Sequence, residues 1–273
     1  MPLTKHGFPV TITFDVDAET LWTGMRPQMA NLPVTLSAGR YGPKTAMPRI
    51  LALLERFAIP ATFFVPGLTV ERYPAMIEAI LAGGHEVAHH SHSHPWLPDL
   101  DPAREREEME KASAAIKAAT GRAPAGYRAP GGEFGSATWE LIREQGFAYS
   151  SNFFDTETPY LHEGTEIVEL PWYWSLDDAP YFMFGGTSFR RTLQPPGPVL
   201  DAWKADFDLL YEEDSAFMLV MHPQIIGRPA RMKMLEALLT HIARRRDIWF
   251  TRCDALAEAI RPALTSASKE ERP

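Results

Sequence analysis

The chain has 273 residues, 45% of them hydrophobic, enough to bury one sizeable core. Its formal charge of −8 argues against nucleic acid as a partner, and Arg244-Arg245-Arg246 is the one dense basic stretch. The single cysteine, Cys253, excludes an internal disulfide, and no apolar run is long enough to span a membrane.

Residues 1–9 hold no apolar leader segment, so the chain reads as soluble and cytoplasmic. Residues 10–14 are β-branched and aromatic, as a buried strand requires, and run into Asp15-Val16-Asp17-Ala18-Glu19. On an extended backbone Asp15 and Asp17 share one face. Two acids there repel each other unless a cation or an arginine lies nearby. The alternative is that they cap a helix, but no periodic helix follows directly. Residues 20–46 are rich in Gly, Pro and small side chains, without a period, and predict a long loop, functional or disordered.

An amphipathic helix is expected over 48–57, a strand over 61–65, a helix over 70–81 and a strand over 86–88. That strand ends at His89-His90-Ser91-His92-Ser93-His94, which holds four of the nine histidines. The spacing of His90 and His94 lets two imidazoles converge on one metal ion. Two nitrogens do not complete a site, so a third ligand, a carboxylate, must come from elsewhere. The alternative is a solvated polar loop.

A charged helix over 103–119 closes at Gly121, followed by a short strand over 126–128, a helix over 136–145 and a strand over 148–151. Further strands are expected at 167–171, 216–221 and 248–251, with helices over 200–211 and 231–245. Asp254 caps a last helix, and 266–273 reads as a flexible tail. Apolar strands alternating with helices predict a parallel sheet, doubly wound or closed into a barrel, as a single domain over 1–265. Asp15, Asp17, His90, His94, Arg128 and His222 all fall at C-terminal ends of these strands, where catalytic groups collect in parallel α/β folds.

Four ordered motifs carry a resemblance. They are Thr13-Phe14-Asp15-Val16-Asp17, His90-Ser91-His92-Ser93-His94-Pro95, Arg128-Ala129-Pro130-Gly131-Gly132 and Leu219-Val220-Met221-His222-Pro223. Over roughly residues 10–225 the chain resembles the polysaccharide deacetylase family, also called NodB-homology or carbohydrate esterase family 4. The resemblance implies an α/β fold, a single-domain distorted (β/α) barrel with fewer than eight complete parallel strands, and metal-dependent hydrolysis of amide bonds. It implies Asp17, His90 and His94 as ligands of a divalent metal, zinc first, with cobalt, nickel, manganese or iron as alternatives. It makes Asp15 the general base, Arg128 its partner and His222 the general acid. The metal and a backbone N–H near Pro130, Gly131 and Gly132 would hold the oxyanion. Trp172 and Trp174 shape the pocket or pack the core. Homo-oligomerisation is implied by the resemblance alone.

The common family form has adjacent aspartates, whereas Val16 here separates Asp15 from Asp17. With Ser37-Ala38-Gly39-Arg40-Tyr41-Gly42 and Gly227-Arg228-Pro229, this resembles an intracellular branch. That branch includes members named for peptidoglycan or chitin-like deacetylation and others that open ureides and cyclic imides. The expected substrate is a small cyclic imide or amide. The alternatives are an N-acetyl sugar, or no catalysis at all in a metal-binding barrel.

Overall fold

The computed structural model describes residues 4–184 and 192–270. Its strands are β1 (Phe8–Asp15), β2 (Thr62–Val65), β3 (Glu86–His89), β4 (Gly126–Tyr127), β5 (Tyr149–Ser150), β6 (Tyr160–Leu161), β7 (Val168–Glu169), β8 (Phe217–Met221) and β9 (Ile248–Thr251). The side-chain period of two divides β1 cleanly. Val10, Ile12 and Phe14 enter the apolar layer under the helices, while Thr13 and Asp15 turn inward to Arg128.

The sheet order is β6-β7-β5-β4-β3-β2-β1-β8, with β9 also paired to β1. The β6–β7 pairing is antiparallel and the others are parallel. β4, β5 and β7 are two residues each, too short to be complete barrel staves. Asp177 forms an isolated parallel bridge with Val220, so the chain after β7 crosses the open side and meets β8. Phe64, Tyr149, Leu170, Trp172, Met218 and Val220 fill the enclosed interior. This is the expected distorted (β/α) barrel, and it sets the C-terminal ends of β1, β3, β4 and β8 around one opening.

Three expectations are corrected. Residues 20–46 are not an irregular loop but helices Thr20–Thr23 and Pro33–Tyr41, a 3-10 turn Pro27–Asn31 and a π-helical turn Gly42–Ala46. The prolines occupy first turns, where no backbone N–H is needed. Gly39 permits close approach, since a Cβ there would lie 2.7 Å from the Ala18 carbonyl oxygen. The helix expected over 70–81 breaks at Tyr73, ahead of Pro74, into Gly67–Arg72 and Pro74–Ala82. The last helix runs Cys253–Glu270, so the expected tail keeps a helical backbone to Glu270, and Asp254 sits inside its first turn. Residues 271–273 lie outside the described residues.

At the opposite end of the barrel, Glu86 is buried and accepts from Thr62 Oγ1 at 2.7 Å, Tyr149 Oη at 2.9 Å and Asp254 N at 3.1 Å. Burial, with the Asp254 carboxylate adding to it, pushes the Glu86 carboxyl up to about 7. A folded pKa above the unfolded value of 4.5 favours the neutral form, so this contribution to stability is complete below 4.5 and lost as pH rises through about 7. Glu86→Gln should therefore flatten the fall in urea midpoint across that window. A variant with the wild-type slope would show that other groups set it.

Candidate metal centre and active site

Val16 still donates to the Phe64 carbonyl at 2.8 Å, and Ala18, at φ 53°, turns the chain away. Asp17 is thereby delivered just beyond β1. Its Oδ1 lies 3.4 Å from His90 Nε2 and 3.5 Å from His94 Nε2, is buried, and accepts no hydrogen bond. Each of the three side chains offers one ligand atom within 4.8 Å of the others. His90 Nδ1 lies 2.7 Å from the Arg128 carbonyl; as the donor there, it leaves the Nε2 lone pair facing Asp17. Burial pushes His94 down to about 4, leaving a neutral ring as a ligand must be. Burial alone would raise Asp17, but His94, His90 and His222 around it bring the carboxyl down to about 2. A buried, unpartnered carboxylate oxygen between two imidazole nitrogens fits a divalent cation.

Asp15, two residues earlier, belongs to the barrel interior. Its Oδ1 accepts from Arg128 Nη1 at 2.8 Å, and its Oδ2 stands 3.9 Å from His90 Nε2. Arg128 is fully buried, bonded also to Thr13 Oγ1 and Ser151 Oγ at 3.0 Å each, with its guanidinium 4.0 Å above the Phe64 ring. Asp15, Thr13, Ser151, Met218 Sδ at 3.2 Å and the Phe64 ring thus fix the guanidinium, and with it one oxygen of Asp15. The other oxygen is left for the opening.

His222, directly after β8, stands across from this pair, with Nε2 3.8 Å from Asp17 Oδ2. Its Nδ1 lies 2.7 Å from Asp178 Oδ1, and its backbone N–H reaches the same carboxylate at 3.1 Å. Burial alone would lower the imidazolium, but Asp177 and Asp178 outweigh it and hold His222 well above its ordinary value. Asp177 and Asp178 were not singled out from the sequence. They follow Trp172-Tyr173-Trp174 at no recognisable strand end, and two adjacent acids are too common a signal. Together with His222 they form a second group able to hold an ion. Gln224 was also passed over; it is buried and reaches Asp17 Oδ2 from 3.5 Å.

Asp15, His90, His94, Asp177 and His222 line a pocket of about 500 Å³, a size that suits a small molecule. Trp172 and Trp174 form one wall, ring centroids 4.8 Å apart; Trp172 is buried and Trp174 is 43% exposed. Trp22, Met25, Arg26 and Met29, from the segment expected to be a loop, line the same pocket. Gly131 and Gly132 also line it, at φ 68° and 77°; a Cβ on Gly131 would meet Met25 Cε at 2.8 Å. Pro130 is buried and does not line the pocket. Within 129–132, Ala129 N–H is spent on Asn152 Oδ1, Gly132 N–H on the Ala129 carbonyl, and Pro130 has none. That leaves Gly131 N–H as the donor available to a ligand.

The polysaccharide deacetylase family model matches residues 40–150. A peptidoglycan deacetylase of Helicobacter pylori is 30% identical over 269 residues, covering 87% of this chain and 91% of the relative. A crystal structure from Mycobacterium smegmatis named for the same family superposes with a TM-score of 0.89 at 35% identity, covering 94% of this chain and 91% of that one. The PuuE allantoinase structure shares the fold, with a TM-score of 0.81 at 24% identity over 93% of this chain and 91% of that one. Among the described residues no helix is long and apolar enough to cross a membrane. The chain belongs to the polysaccharide deacetylase family and is a hydrolase of carbon–nitrogen bonds other than peptide bonds.

Proposed function

We propose that the chain opens a small cyclic imide or amide, with Asp17, His90 and His94 holding a divalent metal, zinc first. The observation that carries the substrate reading is that Trp22, Met25, Arg26 and Met29 line the same small pocket as Trp172 and Trp174. A pocket of about 500 Å³ lined largely by apolar side chains suits a small ring, whereas a glycan chain needs a long open groove.

When bound, the ion supplies Lewis acidity, lowering the pKa of water and polarising the scissile carbonyl. Asp15 takes the proton from the attacking water through Oδ2, because Oδ1 is held by Arg128. Gly131 N–H donates to the oxygen that becomes negative as the carbon turns tetrahedral. His222, its Nδ1 facing Asp178, presents Nε2 to the pocket and gives its proton to the departing nitrogen. Gly132, Trp172 and Trp174 pack against the rest of the ring.

Deacetylation of an N-acetyl sugar has its own support in a recess beside Gly132, lined by Phe134, Asn152, Phe153 and Phe154, which could seat a neighbouring residue. A turnover panel of cyclic imides, ureides and N-acetylglucosamine oligomers separates the two. The highest kcat/KM is expected for ring opening. Turnover of the oligomers that rises with chain length would overturn the small-ring reading.

A further inference from the structure

The two histidine ligands are joined by a tight turn in an unfavourable conformation. Ser91 at φ 58° and His94 at φ 62° both occupy the left-handed region that side-chain-bearing residues avoid. Such a turn persists only where its surroundings determine it. Its carbonyl side is held by the start of the Gly67–Arg72 helix: Gly67 N–H donates to Ser91 O at 3.0 Å and Leu68 N–H to His92 O at 2.9 Å. A Cβ on Gly67 would lie 2.3 Å from His92 Nδ1, so the helix end and the turn are in direct contact.

The N–H side is held by one carboxylate. Glu108, on the Pro102–Thr120 helix, accepts at Oε2 from Ser93 N at 2.7 Å, Ser91 Oγ at 3.0 Å and His92 N at 3.1 Å. Its Oε1 accepts from Ser93 Oγ at 2.8 Å. A carboxylate has acceptor capacity for all four donors at once, and no neutral side chain of the same size does. Its four bonds fall on the three residues between His90 and His94.

We propose that Glu108 is a positioning residue for the metal site. Its carboxylate fixes the turn so that His90 and His94 converge on Asp17 before an ion arrives. This rests on the reading of Asp17, His90 and His94 as ligands. Without the carboxylate, His92 and Ser93 N–H and two hydroxyls lose their acceptor. The turn then relaxes toward ordinary φ values and the two Nε2 atoms separate. Partners of this kind typically change metal affinity about 10- to 100-fold.

The test is competitive titration of the metal-free protein with zinc against a chromogenic chelator. Glu108→Ala should raise the zinc Kd by about 10- to 100-fold, and Glu108→Gln, which keeps the shape with one acceptor oxygen, by less. At saturating zinc both should recover most of the hydrolysis. Ser113→Ala removes a hydrogen bond to Gln145 from the same helix and should leave the zinc Kd unchanged. If Glu108→Ala does not fold, the isosteric Glu108→Gln carries the test. A wild-type protein that binds zinc no more tightly than folded Glu108→Gln overturns the inference alone. A wild-type protein that binds no zinc overturns the ligand reading and the inference with it.

Discussion

His94→Ala is expected to lose bound metal and hydrolysis together, and chelation of the wild type should do the same. Asp17 Oδ1 is buried with no hydrogen bond, facing the imidazoles of His90 and His94. Removing one imidazole leaves a buried carboxylate and a single nitrogen, too few donors to hold an ion against water. The loss should span several orders of magnitude, because bound zinc lowers the pKa of water from 15.7 to about 7. Adding zinc or cobalt back should restore the chelated wild type and leave His94→Ala inactive. Asp15→Asn should behave differently, keeping the metal while losing hydrolysis, since Arg128 and not the cluster holds its Oδ1. Full turnover by a preparation shown to be free of metal would refute the metal-dependent reading.

The sequence exposed whatever period and type alone encode. β1 was legible because its run is β-branched and aromatic as well as apolar, and its period of two is what turns Asp15 inward to Arg128. The histidines were legible because four in six residues have few structural explanations. Residues 20–46 were not, because their helices are short, carry prolines in the first turn of three of the four, and pack through Gly24 and Gly39. A Cβ on Gly24 would lie 2.0 Å from the His94 carbonyl oxygen. A segment pressed that closely against the site needs glycine where an isolated helix would show alanine or leucine, and its period vanishes. Asp178 was hidden for another reason. Its meaning lies in a contact with His222, 44 residues away, made when the chain crosses from β7 to β8. Glu108 reads as one more acid on a charged helix until the fold sets it beside residues 91–93.

His222→Ala is expected to slow hydrolysis roughly 10²- to 10⁴-fold, the usual worth of a positioned acid. The loss should be larger for an acetamide than for an imide, whose second carbonyl already delocalises charge on the leaving nitrogen. The pH profile gives a sharper reading. Burial alone would lower His222, but Asp177 and Asp178 outweigh it and keep the proton on the ring well above the ordinary histidine value. An acid works while protonated, so the rate should hold below that pKa and fall as pH rises through it. The wild-type basic limb should therefore lie above the usual histidine range and vanish in His222→Ala. Asp178→Asn removes the carboxylate that faces Nδ1 at 2.7 Å, so it should shift the limb to lower pH while metal content stays intact. If rate and basic limb both survive His222→Ala, the histidine is structural and the proton reaches the nitrogen by another route.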